Sequence, residues 1–278
     1  MSFTVLALVL LAAALHAGWN AIVKGARDTL LTTVMVAVCS AAIAAVLLPW
    51  LGAPAPASWP FIAASTVLQV GYFVLVARAY RAADMSLAYP LMRGSAPLLV
   101  ALASAGVLHE PLSPAAWSGV TLLCAGILAL ALVGGRGAQR AGLGYALLNA
   151  LVIAAYTLID GAGVRHSGAP LAYTLWIYLL TGLPLTAWAL LRRRPGFVAQ
   201  LQAHWRVGLV AGAATIASYT LALWAMTQAP VAVVAALRET SIVFAMLISG
   251  LVLKERLGLA RVLAACAIVA GAGVLRLA

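Results

Sequence analysis

The sequence predicts an all-α integral membrane protein of ten transmembrane helices, arranged as two inverted five-helix repeats around a central cavity. Three observations lead to it. Of 278 residues, 65% are hydrophobic and 8% charged, with a mean hydropathy of +1.08, so no soluble core can hide the apolar surface and the solvent must be lipid. Ten mostly apolar stretches follow one another, each near the roughly 20 residues that a helix needs to cross a bilayer. The chain also contains a copy of itself: PLMRGSAPLLVALASAGVLHEPL aligns with AALRETSIVFAMLISGLVLKERL, setting Arg93 against Arg238 and Glu110 against Glu255, both 145 residues apart.

The first span, 2–24, has the apolar look of a signal peptide with small residues near Ala12 to Ala14, but it lacks a basic leading region and its apolar run continues to Val23. It reads as a spanning helix. The others follow at 30–51, 59–80, 84–107, 113–134, 142–163, 170–191, 205–227, 230–253 and 257–277. The connections, such as KGARD, GAPAPAS, HEPLSP and GGRGAQR, are short and rich in Gly, Pro and charge, so no soluble domain is expected. Residues 135–141 link a first repeat, 1–134, to a second, 142–278. The stretch 192–206 reads as an interfacial loop with a short amphipathic turn, its Phe197, Val198 and Leu201 against lipid headgroups. Ala115 with Gly119, Ala125 with Ala129, Ala260 with Ala264 and Ala267 with Gly271 form small-residue seams suited to close packing of the fifth and tenth spans within a monomer. Cys39, Cys124 and Cys266 lie singly in apolar runs, without metal-ligand spacing, and read as packing residues.

A net charge of +11 would suggest nucleic acid in a soluble protein, but here most Lys and Arg occupy loops. Lys24 and Arg27, Arg78 and Arg81, Arg136 and Arg140, Arg192 to Arg194 with Arg206, and Lys254, Arg256 and Arg261 all fall at odd-numbered loops; the even ones hold only Arg165. Cytoplasmic loops collect such residues, so both termini are expected on the periplasmic side of a bacterial inner membrane. With five spans per copy the second copy must enter upside down. LHEPLS and LKERLG, at matching places, accordingly differ in basicity, which is the mark of an inverted repeat.

Two arginines deep in spans are costly and normally face a protein-lined or water-filled interior where they act. Arg93 lies about 13 Å along its helix from Asp84, at about 1.5 Å per residue. Its helical neighbours Ser86, Tyr89, Pro90 and Pro97 make a polar, kink-prone face. Arg93 is expected to meet substrate, or else to tie its helix to a neighbour through carbonyls or Glu239. Arg238 has Glu239 beside it, whereas Arg93 has Gly94 at the matching position and no adjacent carboxylate. Glu239 is the one acidic residue near mid-span and the first carboxylate to suspect if protons drive transport. Asp28 and Asp160, nearer helix ends, read as interfacial, and Glu110 and Glu255 as caps of the next helix. His16 with Trp19 and Asn20 is a candidate either for core packing or for the cavity lining; Gln69, Tyr72, Tyr156, Trp176, Tyr219 and Trp224 are candidates for an aromatic lining. Trp50, Trp59, Trp117 and Trp205 suit the interfacial belts.

The opening GWNAIVKG, with Trp19, Asn20 and Lys24, and the closing APVAVVAALRETSIVFAMLISGLVLKERLGLARVLAACAIVAGAGVL resemble the EamA family of the drug/metabolite transporter superfamily. The resemblance runs over the whole chain and includes Glu110 and Glu255. It implies ten helices in two inverted repeats, a central cavity, and export or exchange of small metabolites; the family includes amino-acid exporters of the YddG kind, drug efflux proteins and sugar or nucleotide-sugar carriers. Mid-helix arginines depart from the general family pattern, and YTLIDG stands where the first copy has WNAIVKG, which breaks the symmetry at Lys24.

An intramembrane enzyme would need a catalytic constellation. HEPLS lacks the second histidine of HExxH, and there is no GxSxG or P-loop. A lipid scramblase or scaffold fits poorly with duplicated buried arginines. The cationic heads and aromatic candidates instead favour a secondary transporter for an amino acid or related carboxylate, with protons as a candidate coupling partner and no cofactor or metal. The topology is open to test. In intact cells, an impermeant thiol reagent should label a single cysteine at position 278 and spare one at 200; the reverse pattern would invert the orientation.

Overall fold

The computed structural model describes residues 1–134, 140–192, 194–251, 254 and 258–278, with the backbone alone for 85, 133, 134, 140, 141, 194 and 195. Among the described residues, ten helices are long and apolar enough to cross a membrane. Lipid offers no hydrogen bonds to backbone N–H and C=O groups, so a spanning segment must satisfy them internally, and helices do so. The elements are α1 (Phe3–Lys24), α2 (Thr29–Leu47), α3 (Trp59–Ala82), α4 (Met85–Val107), α5 (Pro114–Gly134), α6 (Arg140–Ser167), α7 (Pro170–Arg192), α8 (Arg194–Met226), α9 (Val231–Arg238), α10 (Ser241–Leu251) and α11 (Leu259–Leu277). Polar side chains set several starts: Ser2 accepts from the Val5 amide, Asp28 from Leu31 and Ser113 from Ala116. Asp28 is thus an exposed cap, as its place near a helix end suggests.

Two elements differ from the sequence expectation. The ninth span is two helices, α9 and α10, parted at Glu239 and Thr240. Here the backbone bonds tighten to three-residue spacing, Glu239 N–H donating to Ala236 and Thr240 N–H to Leu237. The Thr240 hydroxyl also donates to the Leu237 carbonyl at 2.7 Å, competing with the helical ladder. Hydropathy is blind to such a break. The stretch 194–206, expected as an interfacial loop, is helical and runs into α8 through a kink at His204. Phe197 is not against headgroups; it is buried among Val34, Met35, Cys39 and Ala189, with Leu201 beside it, and Gln200 donates to the Thr32 hydroxyl at 3.0 Å. The apolar surface of α2 and α7 captures this turn before lipid does.

α3 packs on α6 and α1 on α8; α4 packs on α6 and α1 on α9 and α10; α2 meets α7, and α5 meets α11. Exchanging the first five spans with the last five maps this list onto itself. His109 and Lys254, at matching positions of the two copies, also share the left-handed backbone, with φ of 55° and 54°. The short helix α9 lies at the centre, touching α1, α4, α5, α6, α8 and α11, with Val231 to Leu237 all buried. The linker 135–141 falls largely outside the described residues, as do Arg136, Arg193, Glu255 and Arg256.

The α5–α11 seam is intramolecular, as expected, but runs along Gly119, Leu123 and Gly126 against Ala264, Ala267, Ile268 and Gly271; Ala125 and Ala129, one residue away, face outward. Cys39 and Cys124 are buried, whereas Cys266 is exposed on the outer face of α11 and is no core residue. A Cβ on Gly271 would sit 2.7 Å from the Leu123 amide nitrogen and 2.8 Å from the Gly119 carbonyl oxygen, and neither backbone can yield alone. Gly271→Leu should therefore cost about 1–3 kcal/mol of stability. Gly273→Leu, with open space around it, should leave the detergent melting temperature near the wild-type value.

Candidate functional site

Proline and the α9 break put the charged groups together. Pro97 in α4 cannot donate to the carbonyl of Arg93, and Pro90 cannot donate to that of Ser86, so α4 is locally loosened on the face that carries Arg93. Across from it the break presents Arg238 at the end of α9 and Glu239 immediately after. The Arg93 Nε lies 2.7 Å from Glu239 Oε2, with side chains 11% and 7% exposed, so each charge is shielded from lipid by the other. The pairing is electrostatic rather than a well-aligned hydrogen bond: Arg93 Nε and Nη2 and Glu239 Oε2 all lack a hydrogen-bond partner of good geometry. This reverses the expectation from neighbouring sequence. Glu239 reaches across to Arg93 instead of neutralising Arg238, because successive helical residues point about 100° apart.

Arg238 takes a different support. Its guanidinium carbon lies 5.1 Å from the centroid of the Tyr219 ring, a cation–π contact, and among the described residues it makes no hydrogen bond or ion pair. The Tyr219 hydroxyl donates to Asp160, whose carboxylate also accepts from Tyr173 at 2.9 Å and Ser65 at 2.9 Å; Gln69 donates to Ser65 at 3.0 Å. Asp160 is fully buried among these helices rather than open to water as its expected interfacial place implies, and Glu239 is not alone as a buried carboxylate. Its distance from the helix end had suggested water. Yet α6 runs four residues beyond the expected end at 163, and α3, α7 and α8 enclose it. The spacing of Tyr156 and Asp160, one helical turn apart, was the available signal.

Between these groups is a cavity of about 20 Å³, lined from α4 by Arg93 and Pro97, from α6 by Tyr156 and Thr157, and from α9 and the break by Arg238 and Glu239. That is space for about one water molecule. The space between these side chains is smaller than the central cavity that the sequence leads one to expect.

Of the other candidates, Tyr72 meets the lining residue Tyr156 edge-on at 6.2 Å and so stands one contact behind the lining, whereas Gln69 bonds Ser65 in the group around Asp160, further from the cavity. Tyr89 and Trp224 pack against the main core, and His16 contacts Trp19 edge-on at 5.2 Å while Trp19 packs with Val23, Val36 and Ala211. None of these four lines the cavity. Trp176 stacks edge-on against Trp59 at 4.8 Å near the start of α3, away from the cavity. An aromatic residue in a span says nothing of which way its helix turns it.

Glu110 is a cap, but not of the next helix. It accepts from the Val231 amide at 2.9 Å, at the start of α9, and pairs with Arg165 at 2.6 Å. Arg165 also donates to the Met226 and Ala229 carbonyls. The one basic residue in an even loop is therefore held by the end of α8, which accounts for its break with the charge rule. Among the described residues no group of three metal-ligating side chains occurs.

A family model, that of the EamA-like transporter family, matches residues 140–277. The second half of the chain belongs to the EamA-like transporter family. One solved structure, described only as the crystal structure of a protein, superposes on this EamA-like chain with a TM-score of 0.75 over 98% of each chain, at 23% sequence identity. At that identity the likeness is one of fold. No curated protein matches.

The ion pair can be tested by stability alone. Removing one member of a buried pair leaves an uncompensated charge and costs about 3–5 kcal/mol, whereas removing both costs less. Melting temperatures of detergent-solubilised Arg93→Gln and Glu239→Gln should each fall further than that of the double variant; a double variant worse than either single one would show that the pair contributes through other contacts.

Proposed function

We propose that this EamA-like protein is a secondary transporter that exports or exchanges a small carboxylate-bearing metabolite, an amino acid foremost, by alternating access between two inverted five-helix repeats. The carrying observation is the charged cavity at the break of the ninth span, where both halves contribute side chains. The self-mapping helix contacts and the paired left-handed residues His109 and Lys254 support the repeat.

Two guanidinium groups and two carboxylates occupy this interior, Arg93 and Arg238 against Glu239 and Asp160. A zwitterion adds no net charge to that balance. Its carboxylate takes the N–H fork of Arg238, which no carboxylate of the described residues occupies, and its ammonium takes a Glu239 oxygen. Ala96, Pro97, Val100 and Ile153 offer an apolar wall to its side chain. The orientation that follows from loop charge puts both termini and the Glu110–Arg165 contact on the periplasmic face of a bacterial inner membrane. Protons are the proposed coupling ion, with Glu239 the carrier because it faces the cavity and Arg93 can hold its anion.

Uptake into proteoliposomes, with a panel of amino acids and organic acids and with or without a pH gradient, tests the reading. Accumulation of an amino acid supports it; uptake confined to sugars or cationic drugs would replace it with one of the family's other activities. Arg238→Gln should raise KM for the carboxylate substrate more than Arg93→Gln. Glu239→Gln should abolish gradient-driven accumulation while leaving exchange measurable; accumulation at the wild-type level would end the proton-coupling role.

A further inference from the structure

Asp160 does not line the cavity, yet it is fully buried and takes hydroxyl donors from three helices: Ser65 of α3, Tyr173 of α7 and Tyr219 of α8. A carboxylate withdrawn from water is expensive, and a neutral amide or hydroxyl could tie the same helices together at lower cost. The local sequence is shaped to admit these donors. Gly163 lies one turn from Asp160, and a Cβ there would collide with the Tyr173 hydroxyl and with Phe61. Tyr219 is held from a second side by Tyr178, edge-on at 6.2 Å, whose own hydroxyl is fixed at Thr215, 2.9 Å away. The Tyr219 ring therefore has little freedom, and Arg238 rests on its face.

A phenol that donates its proton to an anion gains electron density over the ring, and a richer ring face attracts a cation more strongly. The two arginines are thus neutralised by different means. Arg93 has a carboxylate at 2.7 Å, which occupies its charge directly. Arg238 has one relayed through an aromatic ring, which leaves its N–H fork open.

We infer that Asp160 is a positioning residue for Arg238: through the Tyr219 hydroxyl it fixes and enriches the aromatic face beneath the guanidinium, and so sets the cation that selects a carboxylate in the cavity. This rests on the reading of Arg238 as the carboxylate site. Asp160 touches no substrate. It provides the counter-charge at a distance that a substrate carboxylate need not displace, whereas a directly paired arginine would first have to surrender its partner. Selectivity for carboxylate-bearing over decarboxylated molecules should then depend on Asp160, and turnover should not.

The test uses full-length protein in proteoliposomes with radiolabelled phenylalanine and phenethylamine, which differ by the carboxylate. Asp160→Asn and Tyr219→Phe should each raise KM for phenylalanine roughly threefold with kcat little changed, because the aromatic ring stays beneath Arg238 and only its fixing and enrichment, a part of the cation–π contact, are lost. The double variant should be no worse than either, phenethylamine should be unaffected, and neither change should matter further in an Arg238→Gln background. A fall in kcat at constant KM, or an Asp160→Asn effect that persists in Arg238→Gln, would make Asp160 a packing residue and overturn the proposal. If Asp160→Asn does not fold, Tyr219→Phe cuts the same link and leaves the Ser65 and Tyr173 bonds in place.

A second measurement needs no substrate. In ligand-free detergent-solubilised protein, a melting-temperature cycle between Asp160→Asn and Arg238→Gln should show coupling that shrinks when Tyr219 is Phe. Coupling of equal size in both backgrounds would be a direct charge effect, and no coupling would mean no relay; either overturns the proposal. Wild-type protein that takes up neither probe would defeat the proposed substrate class for phenylalanine, and the cycle alone would then decide the role of Asp160.

Discussion

The bilayer cannot solvate charge, and the interior of this protein is organised around meeting that constraint from within. Arg93 and Arg238 lie too deep for their side chains to reach either surface easily, so their counter-charges must come from protein. Glu239 supplies one directly, across the space between α4 and the end of α9. Asp160 supplies the other through Tyr219, and to be buried at all it needs Ser65, Tyr173 and Tyr219 from three separate helices. Six of the eleven α-helices among the described residues, α3, α4, α6, α7, α8 and α9, therefore owe part of their relative placement to four ionic side chains. A purely apolar bundle would lack any such register, since lipid and leucine are alike as solvents and helix association in membranes leans on close packing and polar contacts.

Around this charged centre the scaffold uses the smallest side chains. α5 and α11 approach backbone to backbone through Gly119, Gly126 and Gly271, a contact with no slack to absorb a sliding motion. The centre itself is built otherwise. α9 is only two turns long, ends at a tightened turn, and its start is held by a side chain from the other half, Glu110, with Arg165 clamping the end of α8 beside it. Rigid seams at the periphery and polar, breakable contacts at the middle are what a molecule needs if its halves are to rock as units about a cavity the size of one water molecule.

The spans were legible because the demand on them is local: each must be apolar over a bilayer thickness, and the sequence meets that demand stretch by stretch. The break at Glu239 was not legible, since Ala-Leu-Arg-Glu-Thr-Ser-Ile carries no proline or glycine and the competing bond is a threonine hydroxyl on its own backbone. Phe197 was misplaced for a related reason. An apolar turn beside arginines suits a membrane surface as well as a groove between two helices, and only the presence of α2 and α7 settles which is nearer.

What the sequence determined by itself was the solvent, the number of spans and the pair of arginines worth attention, all of them properties of composition or spacing along one strand of chain. What only the tertiary structure decided was partnership. Adjacency assigned Glu239 to Arg238, yet the helix turns it toward Arg93; distance from a helix end assigned Asp160 to water, yet three neighbouring helices bury it. Trp176, counted with the cavity, lies against Trp59 instead. The reason is common to all three. Electrostatic and aromatic contacts depend on separation in space over a few ångströms, and residues up to 146 positions apart, such as Arg93 and Glu239, reach that separation only when the helices have packed.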